Sequence, residues 1–212
     1  MHFKQRVFQI FLLGSLGLLW TACSNQRSEK TLPYLGFHDV VGTDTVYHKI
    51  PPFQFLDQDS TLINNEVLGE SIYIADFFYT YCPSVCPKVK QQMLRVYEHF
   101  PEETPLKLVS FALDPSRDSV LYLRGYANNL GVESERWHFL SGDVEETWSL
   151  ARDFLISVQR DSDEPGGITH SGKLILVDRQ GHIRGFADGT DPGSVDRFLE
   201  EVEFLLVHSE LE

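Results

Sequence analysis

Phe77-Phe78-Tyr79-Thr80-Tyr81-Cys82-Pro83-Ser84-Val85-Cys86-Pro87 is the stretch that decides how this chain folds. The apolar residues 72–78 read as a buried strand, and residues 89–99 carry a helical pattern. The two cysteines therefore stand where a strand hands over to a helix. In open α/β folds that junction gathers ligands and reactive groups. A Cys on the first helical turn meets the positive end of the dipole and unpaired backbone N–H groups, which favour thiolate. Pro87 suits a helix start, where its missing N–H costs little.

Working outward, residues 106–113 form a second continuous apolar strand, of the kind a parallel sheet covers on both faces. Asp118 predicts an N-cap for a helix over residues 119–130 that stops at Gly131. Residues 137–140 read as a short strand, Asp143 as the cap of a helix over 144–154, and residues 156–158 as one more short strand. A loop over 160–169 is acidic and carries glycine. Residues 174–177 and 183–186, joined by Asp178-Arg179-Gln180-Gly181, predict a hairpin. Val195, Phe198, Leu199, Val202 and Leu206 share one face of a final helix over 192–206. Ahead of the core strand, residues 53–56 and 61–63 pair around Asp57-Gln58-Asp59-Ser60, and residues 40–50 alternate weakly about Gly42-Thr43-Asp44. The order β-hairpin, β-α-β-α, β-hairpin, α predicts a thioredoxin-like α/β fold. Its central mixed sheet is flanked by helices and preceded by an extra N-terminal β-hairpin.

The first 22 residues read as an export signal: Lys4 and Arg6, then an apolar run over 7–20 too short for a comfortable membrane span. The run ends at Leu19-Trp20-Thr21-Ala22-Cys23, and polar residues follow. Small residues before a Cys resemble a bacterial lipoprotein cleavage site, with Trp20 where Leu is usual. The expected organisation is a signal peptide over 1–22, a tether over 23–33 lipidated at Cys23, and one domain over 34–212. An uncleaved signal anchor is the alternative. Either places the domain outside the cytoplasm, tethered to the bacterial membrane on its periplasmic face. Losing residues 1–22 removes two basic and no acidic side chains, so the formal charge goes from −13 to −15. Such a body does not bind nucleic acid through phosphates. With Cys23 set aside, two cysteines remain, so the fold is not a disulfide-stapled scaffold.

Four-residue spacing on a helical turn puts two side chains on one face, roughly 5–6 Å apart at Cβ. That distance suits one metal ion or, after a small adjustment, a Cys82–Cys86 disulfide. Three intervening residues, rather than two, favour the metal bite without excluding redox chemistry. A third ligand is needed. Of the eight histidines, His2 lies in the signal, and His38, His48, His99, His138, His182 and His208 read as surface, turn or helix-end residues. His170 differs: it lies between Gly166-Gly167 and the strand at 173–177, a junction that faces the cysteine loop in thioredoxin-like folds. Two thiolates and one imidazole favour Cu(I), and hold Cu(II) when a further ligand joins. Structural zinc usually takes four protein ligands and ranks below copper here.

Cys82-Pro83-x-x-Cys86-Pro87 resembles the signature of the Sco/SenC family of copper-binding proteins. So do Asp114-Pro115-x-Arg117-Asp118 and the placement of His170 ahead of Leu174-Ile175-Leu176-Val177-Asp178. The similarity runs from about residue 51 to 206, and the lipoprotein-like start with Leu32-Pro33-Tyr34-Leu35-Gly36 fits bacterial members. The resemblance implies that Cys82, Cys86 and His170 bind copper, with Asp114 beside them. It implies delivery of copper to the binuclear site of cytochrome c oxidase subunit II, or reduction of that site's cysteines before loading. A copper chaperone is thus the leading reading. The others are a thiol–disulfide reductase, in which the more exposed Cys82 attacks and Cys86 resolves, and a copper-dependent redox sensor. The acidic loop Asp161-Ser162-Asp163-Glu164 is expected to dock a basic partner or move to admit copper, or simply to face solvent.

Overall fold

The computed structural model describes residues 31–69 and 71–208. The signal segment, Cys23 and the first part of the tether lie outside the described residues. The chain begins with two antiparallel hairpins: β1 (His38–Val41) with β2 (Asp44–Tyr47), and β3 (Gln54–Leu56) with β4 (Leu62–Asn64). A short helix, α1 (Asn65–Leu68), follows, and Asn64 caps it through the Val67 N–H. Next come β5 (Ile72–Phe78), α2 (Cys86–His99), β6 (Leu106–Ala112), α3 (Val120–Leu130), β7 (Trp137–Leu140) and α4 (Val144–Asp153). The chain closes with β8 (Val158–Arg160), β9 (Ile168–His170), β10 (Lys173–Val177), β11 (Ile183–Asp188) and α5 (Pro192–His208).

The central sheet runs β11-β10-β5-β6-β7. Strands β5, β6 and β7 are parallel, while β10 is antiparallel to both β5 and β11. The mixed thioredoxin-like sheet is therefore as expected. Every residue of β5 is buried, which explains its unbroken apolar run. Alternation sends Phe77 to one face, where it stacks on Phe111 at 5.0 Å and meets Phe154 at 5.5 Å. Phe78 goes to the other face, against Tyr126 and Phe139. Between these layers the C-terminal end of β5 is held rigidly, and the cysteine loop starts there.

Several local expectations change. Asp118 is not the cap of α3: Ser119 is, its side chain accepting from the Tyr122 N–H, and Asp118 is fully buried elsewhere. Both residues are good capping types, so the sequence admits either. The strand expected at 156–158 falls at β8 and pairs with β9, so the acidic loop is, over 161–167, the connection of a hairpin. On α5 the buried face includes Leu205, with Leu206 partly buried. The fold takes hold before Tyr34: Leu32 is buried, and its carbonyl accepts from Arg184 Nη2 at 2.8 Å.

Candidate metal centre

Residues 79–85 bridge β5 to α2, and three side-chain clamps hold the front of that bridge. The buried Tyr79 hydroxyl donates to the Ile168 carbonyl of β9 at 3.1 Å. Asp118 accepts from the Thr80 N–H at 3.1 Å and from the Thr80 hydroxyl. Tyr81 donates to Asp114, which also accepts from the Ser116 hydroxyl and lies 3.9 Å from Arg117. The Arg117 guanidinium stacks over Tyr81 at 4.2 Å. Asp114 and Asp118 thus fix the backbone ahead of Cys82 from one side.

These carboxylates differ electrostatically. Burial works against ionising Asp114, but bonds from Ser116 and Tyr81, with the Arg117 charge, hold it below the usual carboxylate range. For Asp118 burial wins over the Thr80 bonds and holds the carboxyl above that range.

Cys86 opens α2, and its backbone N–H donates to Cys82 Sγ at 3.4 Å. The positive end of the helix therefore acts on Cys82, the residue before the helix, rather than on the Cys inside it. Burial pushes the Cys82 thiol up, but the N–H groups of Cys86 and Ser84 outweigh it and bring the pKa to about 7. Burial, reinforced by the neighbouring Cys82 charge, drives the Cys86 thiol far above its ordinary value. Cys82 was expected to be the more exposed; the two are 6% and 5% exposed, so they differ in acidity and not in access. Both are free thiols.

His170 ends β9 with Nε2 at 3.5 Å from Cys86 Sγ. Its Nδ1 lies 3.2 Å from the Ser171 carbonyl, which can only accept. The proton therefore sits on Nδ1, and Nε2 turns its lone pair to the sulfur. Burial lowers the imidazole pKa and keeps the ring neutral. Tyr79 braces the ring edge-on at 5.7 Å. Gly172 lets the β9–β10 connection lie on the cysteine loop: a Cβ there would fall 2.8 Å from Val85 Cγ1 and 3.0 Å from Val89 Cγ2.

The remaining described histidines stay away from the cysteines. His138 was expected near the surface but is buried on β7, with Nδ1 3.1 Å from Asp57 Oδ2. His48 and His182 bond backbone carbonyls of Asp153 and His48, and His99 pairs with Glu203.

Two features escaped the sequence. Lys90 is buried on α2 against Asp76 of β5 at 2.8 Å, donates to Ser110 at 2.7 Å, and lies 4.0 Å over the Phe78 ring. Helical spacing from Cys86 makes a Lys at this place unremarkable in sequence. The Ser84 hydroxyl donates to Glu164 at 3.1 Å and lies 3.8 Å from Cys82 Sγ, so the acidic turn leans on the cysteine loop.

Two thiols and a neutral imidazole nitrogen with its lone pair facing one of them are a donor set that suits a soft ion. Among the described residues, no group of three or more His, Cys, Asp or Glu side chains forms a ready-made metal cluster. A metal ion held by these groups would displace the thiol protons. No described helix is long and apolar enough to cross a membrane.

The SCO1/SenC family model matches residues 42–206. The chain belongs to the SCO1/SenC family. Within it, the SCO1 protein homolog of Bacillus subtilis is 25% identical over 203 residues, spanning 93% of this chain and 96% of the relative. Among solved structures, BsSco, described as a member of the Sco family of cytochrome c oxidase assembly proteins with a disulfide switch, superposes with a TM-score of 0.66. It is 24% identical and covers 76% of this chain and 94% of its own. Copper-bound ScoI of Arabidopsis thaliana gives 0.61 at 21% identity, covering 72% and 97%. At these identities the two structures show a shared fold. The thioredoxin-like SCO1/SenC architecture is thus common to proteins of oxidase assembly and of copper binding.

Proposed function

We propose that this chain is a copper chaperone that holds one copper ion through Cys82, Cys86 and His170. It passes the ion by ligand exchange to the binuclear copper site of cytochrome c oxidase subunit II. The contact between Cys86 Sγ and the unprotonated Nε2 of His170 carries this reading, because it joins a thiol and an imidazole from distant parts of the chain as a paired donor. The copper-bound state of a family member supports the choice of metal. Softness of the ligands and their low number keep the ion exchangeable. Lipidation at Cys23 would tether the domain to the membrane that holds the acceptor.

Copper titration of the reduced full-length protein in detergent tests the proposal. One equivalent binds tightly and gives a thiolate-to-Cu(II) absorption band, and His170→Ala loses that band. Binding that survives unchanged in His170→Ala, or no uptake at all, overturns it.

The acidity difference between Cys82 and Cys86 favours a second reading, thiol–disulfide exchange, in which the Cys82 thiolate attacks and Cys86 resolves. A partner disulfide is reduced to two thiols while Cys82 and Cys86 form a disulfide. His170→Ala is expected to leave this exchange largely intact, and Cys82→Ser to abolish it.

A further inference from the structure

The turn between β8 and β9 places one carboxylate over the cysteine loop. Gly167 N–H donates to the Glu164 carbonyl at 2.8 Å, and Asp161 N–H donates to the Gly167 carbonyl at 3.0 Å, which closes the turn. Gly166 (φ +123°) lies so close to Tyr79 that a Cβ would sit 2.7 Å from its ring. The turn is thereby seated beside the site, and Glu164 reaches Ser84, two residues from Cys82. Its charge bears on both Tyr79 and His170.

Other carboxylates near the site are committed. Asp114 accepts from Tyr81 and Ser116 and faces Arg117. Asp118 holds Thr80 twice, and Asp76 holds Lys90 and Ser110. Asp161 accepts from the Thr169 hydroxyl and the Asp163 N–H. Glu164 is held through Oε1 by a single neutral hydroxyl, which costs little to exchange for a stronger partner.

We propose that Glu164 is an oxygen donor for Cu(II) that Cu(I) does not recruit, with the Ser84 hydroxyl as its parking place when Cu(II) is absent. The inference rests on the reading of Cys82, Cys86 and His170 as copper ligands. Cu(I) is soft and satisfied by two thiolates and an imidazole, whereas Cu(II) completes a tetragonal set and accepts oxygen. Cu(II) then sits on two thiolates, one neutral imidazole and one carboxylate. The two thiol protons leave to solvent, and no electron moves. The β8–β9 turn closes on the site in one oxidation state and stands off in the other. Where Cu(I) is bound instead, the carboxylate stays on Ser84 and that coordination position is open to an incoming thiolate of the acceptor.

The experiment compares the full-length reduced protein with its Glu164→Gln, Asp163→Asn and Ser84→Ala variants, each loaded anaerobically with Cu(II) or Cu(I). Electron paramagnetic resonance reads the Cu(II) ligand set, and competition with chelators reads both affinities. Glu164→Gln is expected to shift the Cu(II) hyperfine splitting and to weaken Cu(II) on the order of ten-fold, leaving Cu(I) affinity unchanged. Asp163→Asn removes the same charge from the same turn and should change neither. Ser84→Ala keeps the parent Cu(II) spectrum. A Glu164→Gln protein with the parent's spectrum and Cu(II) affinity overturns the proposal. So does an equal loss in Asp163→Asn, which would mean a field effect, or a Cu(I) loss as large as the Cu(II) loss. Altered Cu(II) coordination in Ser84→Ala with Glu164 intact would also overturn it. A parent protein that binds no copper removes the three-ligand reading itself, and this inference with it.

Discussion

The backbone N–H of Cys86 points at Cys82 Sγ at 3.4 Å, so the first turn of α2 stabilises charge on the cysteine outside the helix. Cys82 accordingly titrates at about 7, while burial keeps Cys86 protonated far above that. In the reduced, metal-free protein, iodoacetamide is expected to modify Cys82 first. Its rate should rise about ten-fold per pH unit below 7 and level off above, as the thiolate fraction saturates. Cys86 should stay unlabelled until the protein unfolds. Peptide mapping by mass spectrometry checks both; equal labelling of the two sulfurs at neutral pH would refute the asymmetry.

Gly172 separates His170 from β10 and lies where a side chain has no room. A methyl group would fall 2.8 Å from Val85 Cγ1 and 3.0 Å from Val89 Cγ2, and valine is stiff about χ1. Gly172→Ala should push the β9–β10 connection away from the cysteine loop and lengthen the Cys86–His170 contact. The expected cost is about 1–3 kcal/mol of stability, typical of overpacking. Copper affinity should fall on the order of ten-fold, as for loss of a ligand-orienting contact. Urea unfolding and a copper competition titration read the two effects, and unchanged copper affinity would show that His170 is positioned by other groups.

Much of this arrangement is legible in the sequence because it is local. The apolar runs at β5 and β6, the Cys82–Cys86 spacing and the helix stop at Gly131 each depend on neighbours a few residues away. What stayed hidden is nonlocal. Asp118 reads as a cap because it precedes a helix, yet its carboxylate is spent on Thr80, far back in the chain. The three-residue strand β9 is too short for an alternation pattern to show and reads as part of the acidic loop, while β8 reads two residues early. His138 sits in an otherwise apolar strand, and only the distant Asp57 explains how its nitrogen is satisfied. The Ser84–Glu164 bond joins two polar loop residues that nothing in the sequence couples. His170 was recovered through the resemblance and through its place in the expected fold, not from its immediate neighbours.

The Asp76–Lys90 pair is nearly solvent-free, at 2.8 Å, with burial lowering the Lys90 pKa against the pull of Asp76. Removing one partner strands the other in the core between Phe78 and Ser110. Asp76→Ala should therefore destabilise the protein by about 3–5 kcal/mol. Adding Lys90→Met in the same chain should restore part of that, because a buried pair replaced on both sides loses its desolvation cost as well. Urea midpoints of the single and double variants decide it. A double variant less stable than Asp76→Ala alone would show that the amine has other essential partners.

His138 supplies a pH dependence with a definite sign. Its ring is buried on β7 against Asp57, with Lys107 and Glu135 as the other charges acting on it, and burial is the largest effect, lowering its pKa below 6.5. The neutral ring donates Nδ1–H to the Asp57 carboxylate, so the folded state does not need the proton. The unfolded chain takes up a proton as pH falls below about 6.5, while the folded chain resists until the lowered value is reached. Stability is thus fully present above 6.5 and declines as pH falls through the folded-state value. His170, also held neutral by burial, adds in the same direction. Urea midpoints of the metal-free protein should fall between pH 7.5 and 5.5, and His138→Gln should flatten the part of the slope that His138 carries. A slope identical in His138→Gln would assign the acid sensitivity to His170 and the carboxylates instead.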